Sequence, residues 1–337
     1  MLKKISLVII LLTVITHLDA QTRKKTGQAG MTFLKIDGNA RSSGMGGSFV
    51  SMGGDVISIF FNPAGLGAIN SVQITLSQTE WLADIKHNAV GLAIPLGGYG
   101  VLGVSAINMD YGTLYGTTVS FASTQSVGFE YTDTGSFEVS DYALGIAYAT
   151  HVTDRFSIGG QIRYVYEDMG ENMIDIGETA KMSNNTISNY SMDFGTLYQT
   201  GFNDLTLGMS VRHFSGESTF PNLNEGFYMP LVYSVGIAMD LIQAFLPDQN
   251  QNHRFTTLIE GQHPNDSLER LHVGFEYALR EFFFLRGGYK FNYDIESLSA
   301  GLGVRFNAGL MSMKFDYSIS QMDYFDNVQR ISLAMSL

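Results

Sequence analysis

Eight ionisable residues fall at alternate positions of stretches whose other positions are apolar. They are Arg163, Glu276, Arg286, Lys290, Arg305, Lys314, Asp316 and Arg330. Charges gathered on one face of an alternating stretch can act in two ways. They can set up an internal field that guides an anionic ligand, such as a fatty-acid carboxylate. They can also form a salt-bridge network that fixes a neighbouring segment, and that second reading is favoured, with Asp37 and Asp55 as partners. A second group lies in the Gly-rich segment 32–67, with Arg41, Gly44-Met45-Gly46-Gly47, Asp55 and Asn62-Pro63-Ala64. The glycines permit close backbone approach and positive φ. Asn62 is a natural helix N-cap and Pro63 a natural first helical residue. A compact segment of this kind can fold as a plug, and these residues are its expected gating motif.

Other chemistries find little support. After the first 20 residues the histidines are His87, His151, His213, His253, His263 and His272, with no H-E-x-x-H and no G-x-S-x-G. No catalytic residue, metal site or cofactor is therefore expected. Gly44-Met45-Gly46-Gly47 lacks the third glycine of a dinucleotide fingerprint. Glu171, Asp175, Glu178, Asp323 and Asp326 lack calcium-loop spacing and read as solvated loop carboxylates. The chain has no cysteine, which excludes disulfides, thiolate metal sites and a lipoprotein anchor. Its net charge of −12 argues against a nucleic-acid partner.

The elements that would position these residues are strands. Charged residues make up 15% of the chain, against about 25% in an ordinary soluble domain. Lys3 and Lys4 precede the apolar run Ile5 to Thr16, and Leu18-Asp19-Ala20 reads as a cleavage site, so residues 1–20 are expected to be a secretory signal peptide. No later stretch is apolar enough for a transmembrane helix. From about residue 72 the period is two: Leu271, Val273, Phe275, Tyr277 and Leu279 alternate with His272, Gly274, Glu276 and Ala278.

Fourteen such runs can be traced, near 72–80, 86–95, 98–109, 140–150, 154–167, 188–198, 203–213 and 229–240, then 253–261, 269–279, 282–292, 297–308, 311–319 and 328–337. Most have the length a tilted strand needs to cross a bilayer. Long connections (110–139, 168–187, 214–228) alternate with mostly tight ones, 241–252 excepted. That pattern predicts an all-β transmembrane antiparallel barrel of about 14 strands, with long loops outside and tight turns in the periplasm. The expected organisation is 1–20 signal peptide, 21–70 N-terminal plug or hatch, and 71–337 barrel in contact with outer-membrane lipids. A secreted β-sandwich also alternates, but its outer face should carry many charges. Here the non-apolar face is mostly Gly, Ser and Ala, which suits a confined lumen.

The run FLKI…ARSSGMGGSFVSMGGDVISIFFNPAGLG resembles the N-terminal signature of PorV/PorQ-type outer-membrane proteins, within the wider FadL-like group. The later LRGGYKF…SLSAGLGVRF…FDYSI resembles that family's C-terminal strands. The resemblance implies a fourteen-stranded barrel in the bacterial outer membrane, with a hatch containing Asn-Pro-Ala. It implies two functions. One is an accessory of type IX protein secretion, binding cargo or translocon components. The other is a FadL-like channel for hydrophobic small molecules. The first is the principal expectation and the second the alternative.

Overall fold

An open sheet leaves two edges of unpaired backbone groups, and here the sheet closes on itself. In the computed structural model the described residues are 27–121, 129–176, 179–219, 226–246, 252–309 and 311–337. The expected signal peptide lies outside them, as do Glu178 and the side chains of Glu171 and Asp175. The barrel strands are β1 (Gln73–Glu80), β2 (Lys86–Pro95), β3 (Val101–Asp110), β4 (Ser140–Thr153) and β5 (Phe156–Ile176). Next come β6 (Thr179–Gln199), β7 (Thr206–Ser215), β8 (Val232–Asp240), β9 (His253–Pro264) and β10 (Arg270–Leu279). The last four are β11 (Phe283–Phe291), β12 (Glu296–Ala308), β13 (Met311–Met322) and β14 (Val328–Ser336).

Each strand pairs antiparallel with its sequence neighbours. β1 closes the ring on β14, from Gln73 opposite Ser336 to Glu80 opposite Gln329. Closure removes both sheet edges, which a lipid environment could not satisfy. The ten-residue strands β2 and β3 span about 33 Å, enough at the usual tilt for a hydrocarbon band of about 25 Å. Along β10, His272, Gly274, Glu276 and Ala278 are buried inside, whereas Val273 and Phe275 are exposed outside. The same outward face carries Ile146, Ile162, Phe194, Met209, Val235, Leu285, Leu302 and Phe315. Among the described residues, no helix is long and apolar enough to cross a membrane.

The long connections differ from the expectation of loops. The 168–187 stretch is largely a continuation of β5 and β6, each 21 residues long. The 110–139 stretch holds a separate hairpin, Leu114–Phe121 against Phe129–Phe137, and 214–228 holds the short pair Ser218–Thr219 with Gly226–Phe227. Beyond the hydrocarbon band both faces of a strand meet water. The backbone still pairs there, but the apolar alternation that reveals a strand is lost. The 241–252 connection contains a short helix, Leu241–Phe245, capped by Asp240.

Residues 29–69 run through the barrel interior. Gly30 N donates to Tyr228 O at 3.2 Å at the end bearing the long connections. Leu337 N donates to Val72 O at 3.0 Å at the opposite end, where β1 begins. Between them lie three 3-10 helices, Thr32–Lys35, Val56–Phe60 and Pro63–Ala68, and the α-helix α1 (Ala40–Gly44). Asn39 accepts from Arg41 N, Asp55 from Ile57 N and Asn62 from Ala64 N, so each of the last three helices has a side-chain cap. Gly46 and Gly47 take φ of 67° and 71°, turning the chain directly after α1.

Small wall residues make room for this segment. At Gly274 and Gly288 a side chain would overlap the backbone of Met45 and Gly46. At Gly159 and Gly195 it would overlap Pro63 and Asn62. Two measurements follow. The purified protein should need detergent to stay in solution and should migrate differently on gels before and after boiling. Gly195→Val and Gly288→Val should each cost about 1–3 kcal/mol by overpacking. Both variants should keep the heat-modifiable barrel while making residues 29–69 more accessible to limited proteolysis.

Candidate functional site

The inward charges sort into separate groups, and the largest centres on Glu276. This fully buried carboxylate accepts from Arg41 Nε (2.9 Å) and Nη2 (2.8 Å), from Arg286 Nε (2.7 Å) and from Arg254 Nη2 (3.1 Å). Four donors from three arginines saturate its oxygens. Arg41 also pairs with Asp55 at 2.5 Å, and Arg286 with Asp316 at 2.9 Å. Lys314 Nζ stands 3.9 Å from Asp316. The interior segment and the wall strands β9, β10, β11 and β13 thus share one ionic hub.

The other predicted residues occupy different places. Lys290 pairs with Glu296 at 2.8 Å. Arg330 donates to Asp37 O at 2.7 Å and to Ser320 Oγ at 2.8 Å. Arg163 pairs with Asp193 at 2.5 Å. Gly44 packs on Gly301, where an added Cβ would lie 3.1 Å from its Cα. Gly47 lies beside Lys290 and His272. Arg305 differs from the expectation of a lumen charge. It sits near the rim, where β12 runs past its partner, and is bonded at 3.1 Å to Glu281 in the β10–β11 turn. Burial opposes ionisation of Glu281, but the hydrogen bond and charge of Arg254, with Arg305 nearby, hold its carboxyl below the usual range. Asp55 does not reach a wall charge directly and acts through Arg41.

Asn62 links the segment to the wall. Its amide donates to Val50 O at 2.7 Å and to Thr196 O on β6 at 3.0 Å, while its Oδ1 caps Ala64. Two buried carboxylates lie outside the sequence-derived set, Glu260 holding the segment and Asp193 joining wall strands. Glu260 accepts from Phe49 N (2.9 Å) and Val50 N (3.0 Å). Asp193 accepts from His213 N at 2.8 Å, where the β6–β7 register shifts and His213 adopts φ of 60°. Both share the inward parity of their strands, with Ser191 and Gly195 beside one and Leu258 and Gln262 beside the other, and that parity is the signal that could have revealed them.

Three cavities flank these contacts. Toward the long-connection end lies a vestibule of about 450 Å³, walled on one part by Phe33, Trp81, Leu82, Ile85, Met109 and Met322 and on the rest by charged residues that include Glu296 and Arg330. Beneath it is a smaller cavity of about 60 Å³, which shares Lys35, Asp37, Arg270, Lys290 and Tyr293 with the vestibule. On the wall outside Asn62 and Pro63 is an apolar groove of about 640 Å³, lined by Ile158, Phe194, Met209 and Val235 and by Gly159 and Gly195. Among the described residues, no group of three or more His, Cys, Asp or Glu could hold a metal ion.

No protein-family model matches the sequence, and no curated protein does. Solved structures do match the fold. The toluene transporter TodX of Pseudomonas putida superposes with a TM-score of 0.57 at 13% identity, covering 89% of this chain and 98% of that one. The toluene transporter TbuX of Ralstonia pickettii gives 0.53 at 14%, covering 88% and 97%. A FadL homologue of Pseudomonas aeruginosa gives 0.54 at 12%, covering 89% and 98%. At these identities the likeness concerns the fold: the chain is a closed fourteen-stranded barrel of the FadL type found in bacterial outer-membrane proteins.

The ionic hub sets a stability hierarchy. Glu276→Ala takes the shared carboxylate from three arginines, leaving each with a single acidic partner, and should lower the unfolding free energy in detergent by about 3–5 kcal/mol. An Arg41→Ala/Glu276→Ala double-mutant cycle should show coupling of about 1–3 kcal/mol. Arg305→Ala breaks a partly exposed pair and should cost under about 1 kcal/mol. Equal losses for Glu276→Ala and Arg305→Ala would contradict the hub.

Proposed function

We propose that the protein is an outer-membrane channel for the uptake of hydrophobic small molecules, with residues 29–69 as its plug. The vestibule carries this reading. It sits at the end bearing the long connections, which is the outer end in barrels of this kind. Its volume and the apolar, partly aromatic part of its wall suit a small hydrophobic guest, while Lys35, Asp37, Arg270, Lys290, Glu296 and Arg330 make the rest of that wall charged. Solved proteins of the same fold support it, since TodX and TbuX are toluene transporters and CymD is a monoaromatic hydrocarbon channel. The resemblance to PorV/PorQ-type proteins rests on the sequence signature. Neither the cavities nor the fold comparisons add support for binding secretion cargo or translocon components.

In this reading the guest enters the vestibule and meets the closed lower half. The Glu276 hub anchors one side of the plug. Asn62, Pro63 and Ala64 close the other side, against the glycine-lined wall behind the outer groove. Movement of Asn62–Ala64 would connect the lumen to that apolar groove, and the polar Glu276 side would stay shut. The groove spares a hydrophobic molecule a passage through water.

The test is uptake of labelled toluene by cells that express this barrel and lack other hydrophobic-uptake channels. The intact protein should give saturable uptake. Asn62→Ala should raise the rate severalfold by releasing Val50 O and Thr196 O. Removal of residues 21–67 should add a leak for small polar solutes. If uptake is unchanged by both alterations in correctly inserted barrels, the channel reading fails.

A further inference from the structure

The small cavity beneath the vestibule is built differently from the rest of the hydrophobic route. It is lined by five cationic side chains, Lys35, Arg163, Arg212, Arg270 and Lys290, and by one carboxylate, Asp37. Three of the cations are matched: Lys35 by Asp266 at 2.7 Å, Arg163 by Asp193 and Lys290 by Glu296. Arg212 and Arg270 have no acidic partner among the described residues. Arg212 donates to Phe60 O at 3.0 Å and lies over the Phe61 ring, with its Cζ 5.5 Å from the centroid. Arg270 lies 4.1 Å over the ring of Tyr293. Ring faces hold both guanidinium groups in place without cancelling their charge.

Donors in the same cavity are also left over. Arg163 Nε, Arg212 Nε and Arg270 Nε are buried without a hydrogen-bond partner, as are His272 Nδ1 and both ring nitrogens of His87, of which a neutral imidazole donates through one. Arg163, His87 and His272 are each no more than 2% exposed. Asp37 offers one unpartnered oxygen, Oδ2, in return. A buried donor without a partner costs free energy, and a buried charge without a counter-charge costs more. Water can satisfy the donors, but it leaves the excess positive charge. An anion does both.

We propose that this cavity is a binding site for a small oxyanion or carboxylate, held by Arg212 and Arg270 with the free donors of Arg163 and His272. Its volume of about 60 Å³ is several times the minimum that one water needs, about 10–15 Å³, which leaves room for a carboxylate or phosphate group. The site differs from the vestibule above it in charge balance, with five cations and one carboxylate here against four cations and three carboxylates there. It stands whether or not the barrel transports hydrophobic molecules. The same group could arrive as a free ion or as the head of an amphiphile whose chain lies in the vestibule, because the two cavities share Arg270, Lys290 and Tyr293.

The experiment follows the thermal unfolding midpoint of the full chain in nonionic detergent, at fixed ionic strength and pH, against acetate, inorganic phosphate and octanoate. A saturable rise with acetate or phosphate is expected. The double variant Arg212→Gln/Arg270→Gln should weaken that response at least tenfold. An equal response to acetate and octanoate assigns the site to a free ion. Octanoate binding at least tenfold tighter than acetate assigns it to an amphiphile's head group. Bromide-soaked crystals of the unaltered protein provide a readout that needs no variant, with an anomalous peak expected between Arg212 and Arg270. The proposal is overturned if no anion shifts the midpoint and no peak appears there, or if the folded double variant responds like the unaltered protein.

Discussion

A carboxylate buried inside a barrel must be neutralised where it stands, and much of the interior follows from how Glu276 meets that demand. Three arginines converge on it: Arg41 from the interior segment, and Arg254 and Arg286 from the wall. The segment therefore supplies a counter-charge to the wall as well as filling space. Removing one member would unbalance the rest, because Asp55, Asp316 and Glu281 each back only one of the arginines, and this makes the group cooperative. It also fixes the rotation of α1, because the Arg41 fork reaches Glu276 with two nitrogens at once.

The opposite side is held by other means. Around Asn62 the contacts are neutral hydrogen bonds and backbone against glycine, with no ion pair joining Asn62–Ala64 to the wall. Neutral hydrogen bonds contribute about 1 kcal/mol each, whereas disrupting the buried ionic hub costs several times more. The interior segment is thus firmly anchored at one wall and lightly closed at the other. The light side backs onto the apolar groove outside the barrel. That asymmetry suits a guest passing from the vestibule toward lipid.

Sequence periodicity exposed the wall well. All fourteen alternating stretches correspond to barrel strands, because strand alternation is local and the two sides of a membrane barrel differ sharply in polarity. Asn62 and Pro63 could be assigned to a helix start because capping acts over a few residues. The hairpin extensions beyond the membrane were hidden, since strands wetted on both faces carry no such alternation. Arg305 has the right parity but the wrong height: alternation reports the face a side chain takes and not how far along the barrel it sits.

The partners of the inward charges lay beyond the reach of the sequence. Arg41 and Glu276 are 235 residues apart, and Lys35 and Asp266 are 231 apart. Parity alone allowed Asp37 or Asp55 to meet several cations equally well. Closure of β1 on β14 and the path of the interior segment decide which atoms meet. The same closure brings Arg212 and Arg270, from strands on different sides of β8 and β9, to one small cavity. The sequence by itself determined strand number, the lipid-facing side and the presence of a compact Gly-rich segment, because these depend on neighbours a few residues away. Charge pairing, the vestibule and the basic cavity were decided by the tertiary structure, because each depends on residues brought together only when the ring closes around the segment.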